Sequence, residues 1–287
     1  MISPIDALAV HLLGQSPCIS YAEAHCRAQK EWQRPSVRIS AIWWLARKRS
    51  GAPLNPFVSE LFSEAVLRRL GIRTAESFLC GTNEVYKFTD GFVVKFAKDN
   101  QPHNMKWDPN AIPDRTCLVS KLVPNAASVS FVARKVLKTH ADKREPADRF
   151  YVNFDPSPKE IETVRGAISA EGAPYLGICA ARAFLGDACT SHFGNVLVTK
   201  QGELVSIDHA HVHFRTGEDV RSLFDFVDYD SELFRVLGRI AALRYEDIRE
   251  CLAEIPKNHV CGSTAGIENY FCTRLKLWKT LYAAKGM

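Results

Sequence analysis

Apolar positions recur with a helical period over the first quarter of the chain, with a strand-like period from Ser77, and with a helical period again from residue 157 onwards. Pro4 to Leu13 reads as a short apolar helix. Ser20 followed by Glu23 has capping-box spacing and predicts a helix start. Ser36 to Arg49 sets Val37, Ile39, Ile42, Trp43 and Leu45 among basic residues. Pro56 predicts another start, Leu61, Val66 and Leu70 continue it, and Gly71 ends it. Ser77 to Cys80 then reads as a strand, followed by a small turn at Gly81 to Glu84. Val85 to Phe88 and Phe92 to Phe96, joined at Asp90-Gly91, carry the pattern of a hairpin. Residues 98–116 hold Pro102, Pro109 and Pro113 and predict a loop. Cys117 to Val123 and Ser128 to Val136 predict further strands.

The second half is helical over 157–171 and 174–184, and again over 220–227, 231–243, 245–255 and 267–284. Between them lies one break. Val196-Leu197-Val198, a turn at Gln201-Gly202 and Leu204 to Ile207 predict a hairpin. It sets Asn195 and Asp208 at the same end of neighbouring strands.

Composition changes this picture little. A chain of 287 residues, 46% hydrophobic and 24% charged, can bury a substantial core in two lobes. No apolar run reaches the roughly 18 residues of a membrane span. Residues 1–15 lack a basic stretch, so a signal peptide is not expected. Nine cysteines without a Cys-x-x-Cys pair fit free thiols in a reducing cytoplasm. A net charge of +5 permits anionic ligands without selecting one. Arg34, Arg38, Arg47, Lys48 and Arg49 around Trp43 and Trp44 read as a solvated helix face, or as a surface for a partner protein, in preference to nucleic-acid binding.

The chemistry gathers at the hairpin. An amide oxygen from Asn195 and a carboxylate from Asp208 are hard donors suited to Mg²⁺. His192-x-x-Asn195, a hairpin, then Ile207-Asp208 resembles the core of atypical kinases of the HipA-like, phosphatidylinositol 3-/4-kinase-like and UbiB-like branches. The resemblance covers about 130 residues. It implies an α+β, two-lobed protein-kinase-like fold: an N-terminal helical segment over 1–75, a small β-rich N-lobe over 76–137 and a mainly helical C-lobe over 138–287. It implies ATP and Mg²⁺ as cofactors, with Asn195 and Asp208 on the metal and Lys95 on the phosphates. Gly81 and Asn83 would belong to the phosphate-facing turn, and His192 would be a supporting residue of the catalytic loop.

Two departures from the family's pattern matter. Thr190 stands where the family carries its catalytic Asp, so Asp187 is the candidate base across a three-residue insertion, or else a structural residue. No helix follows the Lys95 strand to supply the glutamate that pairs with such a lysine; Glu60 and Glu64, one turn apart on the preceding helix, are the substitutes. The expected activity is ATP–Mg²⁺-dependent phosphoryl transfer to an alcohol group, with a protein Ser or Thr hydroxyl as first acceptor. The alternatives are a nucleotide-binding pseudokinase, an AMP transferase, or a zinc protein using His209, His211 and His213, which would share one face of an extended strand.

Overall fold

The computed structural model describes residues 19–39, 55–87, 91–96, 116–137, 156–169, 172–187, 193–215, 217–225, 227–228, 231–256 and 264–286, with Ile5, Leu8, Ala9, Leu12, Leu13 and Ile42. The Trp43-Trp44 cluster, the proline-rich loop, Asp90, Thr190 and His192 lie outside these residues. The described chain is α+β and mostly helical, with two small antiparallel sheets.

Helix α1 (Tyr21–Glu31) begins where the capping box predicts it: Glu23 N–H donates to Ser20 Oγ and Ser20 N–H to a Glu23 carboxylate oxygen. Helix α2 (Pro56–Arg69) is capped by Asn55, whose Oδ1 accepts from the backbone of Phe57 and Val58. Gly71, at φ 73°, turns the chain out of it.

The first sheet contains β1 (Ser77–Gly81), β2 (Phe92–Phe96) and β3 (Thr116–Lys121) in the order β1-β3-β2. Here the expected hairpin fails. Residues 82–87 form a 3₁₀ turn, not a strand, and β2 pairs with β3 from Phe92↔Lys121 to Phe96↔Cys117. Glu84 explains part of this, since its carboxylate reaches back to the Gly81 N–H and pairs with Lys87. A side chain that caps its own turn competes with the ladder.

The second sheet contains β4 (Ala126–Ser128), β5 (Val196–Thr199) and β6 (Leu204–Ser206). The β5–β6 hairpin turns at Gly202, φ 78°, as the sequence predicts. The strand expected over Ser128 to Val136 is instead helix α3 (Val129–Leu137). Ser128 Oγ caps it by accepting from Phe131 N–H, and Val129, Val132 and Ala133 are buried at helical spacing.

The other helices are α4 (Pro158–Ser169), α5 (Ala173–Leu185), α6 (Glu218–Asp225), α7 (Glu232–Ala241), α8 (Tyr245–Ala253) and α9 (Ala265–Gly286). They share one apolar core with α2, in which Phe62 lies 4.4 Å from Phe271, ring to ring, and Trp278 packs edge-on against Phe184 and Phe224. Helix α2 also buries Phe57 against Leu79 and Leu118 of the first sheet. It is therefore the wall between that sheet and the helical body, which is why it is buried nearly all round. At the far side Arg274, buried, pairs with Asp219 at 2.6 Å and donates to the carbonyls of Ala183 and Phe184, closing the C-terminal end of α5. Among the described residues no helix is long and apolar enough to cross a membrane.

Candidate active site

Four pieces of chain meet at one end of the hairpin. Lys95 projects from β2, and its Nζ lies 2.8 Å from Asp208 Oδ1 and 3.8 Å from Glu60 Oε2. Glu60 is almost fully buried on α2, and its Oε2 also accepts the His209 N–H at 2.8 Å. The neighbouring Ser59 Oγ donates to the His209 carbonyl and accepts from the Val212 N–H. Helix α2 thus holds the chain just past Asp208 through three bonds.

Asp208 itself has φ 58°, a left-handed backbone that a non-glycine residue holds only where its surroundings impose it. The imposing groups are visible. Its carbonyl accepts from Arg182 Nη2 at 3.0 Å and lies 3.5 Å from Asn195 Nδ2. Its carboxylate is held by Lys95 through Oδ1, while Oδ2 takes no hydrogen bond among the described residues. The Asp208 side chain is 41% exposed. Asn195, whose amide nitrogen is directed at Asp208, likewise keeps Oδ1 unengaged. An amide oxygen and a carboxylate oxygen, neither hydrogen-bonded among the described residues, are the donor types that suit a hard divalent cation, in the roles expected of Asn195 and Asp208.

The charges reinforce this arrangement. Burial works against the Lys95 ammonium, but Glu60 and Asp208 outweigh it and raise its pKa above the ordinary lysine value. Burial also works against the Asp208 carboxylate, and Lys95, His211 and Arg182 outweigh it, so its pKa falls below the usual range. Glu64, one turn along α2, is different. Burial raises its carboxyl to about 7, opposed by hydrogen bonds from the Ser77 hydroxyl and backbone, with Glu60 pushing the same way as burial. It ties α2 to the first residue of β1: Ser77 N–H and Oγ donate to its two oxygens at 2.9 and 2.6 Å.

Asp187 is placed elsewhere. It is fully buried just after α5, with Oδ2 2.8 Å from Arg182 Nη2 and 3.6 Å from His209 Nδ1. Its backbone forms an antiparallel bridge with Val212. Gly81 and Asn83 lie on the opposite edge of the first sheet from Lys95. Gly81 pairs with Thr116, and a Cβ added there would lie 2.5 Å from Asn83 Oδ1, so the exposed Asn83 is folded over the glycine.

The alternation that would put His209, His211 and His213 on one face is broken by a turn at residues 210–211. His209 and His213 are buried while His211 is partly exposed. Among the described residues no group of three or more His, Cys, Asp or Glu side chains is gathered to hold a metal ion.

Arg182 is the residue that the sequence reading missed. It had one available signal: it is the only charged residue in the otherwise apolar helix α5, and a charge on a buried face must find partners. In comparisons with known proteins, no family model matches the chain, and no curated protein matches it significantly.

Proposed function

We propose that this chain has a two-lobed, kinase-like arrangement, binds ATP with Mg²⁺ between the first sheet and the helical body, and transfers a phosphoryl group to a hydroxyl acceptor, with a protein Ser or Thr as the first candidate. The observation that carries this reading is Lys95 set between Glu60 and Asp208, with Asn195 beside Asp208. Lysine on a strand, glutamate on a helix behind it and aspartate at the end of a hairpin are the three charges that phosphoryl transfer in kinases requires.

Lys95 would hold the α/β-phosphates and Glu60 would hold Lys95. Asn195 Oδ1 and Asp208 Oδ2 would hold Mg²⁺, whose contribution when bound is to neutralise phosphate charge. A loose transition state asks mainly for such positioning and charge.

The burial of Asp187 favours a second reading, a pseudokinase that binds nucleotide without transferring phosphate. Incubation with γ-labelled ATP and Mg²⁺ separates the two. Label transferred by wild type and lost in Lys95→Ala and Asp208→Ala is the expected result. Thermal stabilisation by ATP–Mg²⁺ without label supports the second reading. An Asp208→Ala variant with full transfer refutes the proposal.

A further inference from the structure

We infer that Arg182 is the positioning residue of the site, with Asp187 as its buried counter-ion in place of a catalytic base. This rests on the reading that Asn195 and Asp208 hold the metal. Arg182 is fully buried on the last turn of α5. Its guanidinium donates to the carbonyls of Ile207 and Asp208 at 3.0 Å each, to the Asn195 carbonyl at 3.3 Å and to Ser206 Oγ at 3.4 Å. It binds the mouth of β5 and the end of β6 at once, and both candidate metal ligands are among the residues it touches. The planar, five-donor fork of arginine can do this; the point charge of lysine cannot reproduce it.

A guanidinium with no water around it needs a compensating charge. Asp187 supplies it at 2.8 Å, both side chains at 0% exposure. Gly186 lets the chain reach that place. At φ 79° it turns out of α5, and a Cβ there would lie 2.8 Å from the His213 carbonyl. Asp187 is thereby committed to Arg182, and an acceptor hydroxyl has no route to a carboxylate at 0% exposure. Loss of Asp187 would free Asn195 and Asp208 to move, and the resulting fall in activity would imitate loss of a base.

The test uses the full chain with ATP and Mg²⁺ as probes, in Arg182→Lys and Asp187→Asn. Backbone amides over 195–209 are expected to exchange about tenfold faster or more in both, with those of β3 unaffected. The Mg²⁺ concentration for half-maximal ATP binding is expected to rise roughly tenfold or more, the usual cost of losing a group that orients metal ligands. For transfer, the loss is expected in the Mg²⁺ requirement, while the pH profile of kcat at saturating Mg²⁺ keeps its shape.

Loss of a base would look different. In Asp187→Asn, kcat would fall by about 10²–10⁴ at every Mg²⁺ concentration and the acidic limb of its pH profile would vanish. That result overturns the inference, as does unaltered exchange over 195–209 in a folded Arg182→Lys. Exchange needs no nucleotide, so it decides the role of Arg182 even if wild type binds no ATP, which would sink the proposed function alone. Should the single variants fail to fold, Arg182→Met with Asp187→Leu removes both charges together and leaves no unpaired ion. The same faster exchange over 195–209 is expected of it, and wild-type exchange there overturns the inference.

Discussion

Replacing Glu64 by Gln tests the electrostatics of the wall between sheet and helices. The Glu64 carboxyl is 1% exposed and titrates at about 7 in place of 4.5, chiefly through burial. The charged form is therefore disfavoured in the folded chain by roughly 3 kcal/mol. The sign follows from linkage. Below pH 4.5 the group is neutral whether the chain is folded or not, and it carries no penalty. Between 4.5 and 7 the unfolded chain ionises while the folded chain keeps its proton, so stability falls as pH rises; above 7 the penalty is constant. Gln cannot ionise. Its carbonyl can accept from the Ser77 N–H and its amide can donate to Ser77 Oγ, so the geometric loss is about 1 kcal/mol at most. Urea unfolding of both proteins at several pH values between 4.5 and 8 is the assay. Glu64→Gln should gain about 3 kcal/mol on wild type across that range, nearly all of it before pH 7. A difference that stays flat over the whole range would refute the account, because it would mean that Glu64 is charged or hydrated where the packing says it is neither.

Lys95→Met should abolish ATP-induced thermal stabilisation and leave the unliganded fold intact; retained stabilisation would remove Lys95 from the phosphate site. The Lys95–Asp208 attraction should contribute evenly to stability over roughly pH 5–9, because the Asp208 part is lost only as pH falls through its lowered pKa and the Lys95 part only as pH rises through its raised one. A wild-type minus Lys95→Met difference that varies by more than about 1 kcal/mol between pH 7 and 9, where the carboxylates are ionised in both proteins, contradicts this in urea unfolding. Asp219→Ala leaves the buried Arg274 without its carboxylate and should cost about 3–5 kcal/mol in the same assay. Gly186→Ala should cost roughly 2 kcal/mol through its backbone conformation, and more if the His213 carbonyl cannot yield.

Much of the helical body was legible because caps and stops are local chemistry. Ser20 with Glu23, Pro56, and Gly71 each act within four residues, so the sequence displays them directly. The β5–β6 hairpin was legible for the same reason. The three strands of the first sheet were legible too, but their pairing was not, because β3, the last in sequence, lies between β1 and β2. The Asp90-Gly91 signal predicts a turn joining 85–88 to 92–96, yet the partner of β2 comes from beyond residue 115. The Ser128 to Val136 stretch failed because β-branched residues at spacings of three and four also satisfy a short strand pattern; Ser128 as a cap decided it. At the site, Lys95, Asn195 and Asp208 could be named from motif order, and the want of a later helix pointed to Glu60 or Glu64, of which Glu60 lies beside Lys95 and Glu64 holds Ser77. The role of Arg182 could not be named, since the groups through which it holds Asn195 and Asp208 are backbone carbonyls, which no side-chain pattern encodes.

The pairing of Glu60 with the His209 backbone spans 149 residues and that of Lys95 with Asp208 spans 113. On the ribosome these contacts are ordered in time. Helix α2 emerges first, and at synthesis rates of about 5–20 residues per second its Glu60 waits roughly 7–30 s for His209. During that interval the carboxylates of α2 stay hydrated, and Lys95, already on its strand, has Glu60 in reach but not Asp208. A nascent chain halted before β6 therefore holds the first sheet and α2 but lacks the aspartate that completes the site, and the four helices that close the core around α2 are made later still.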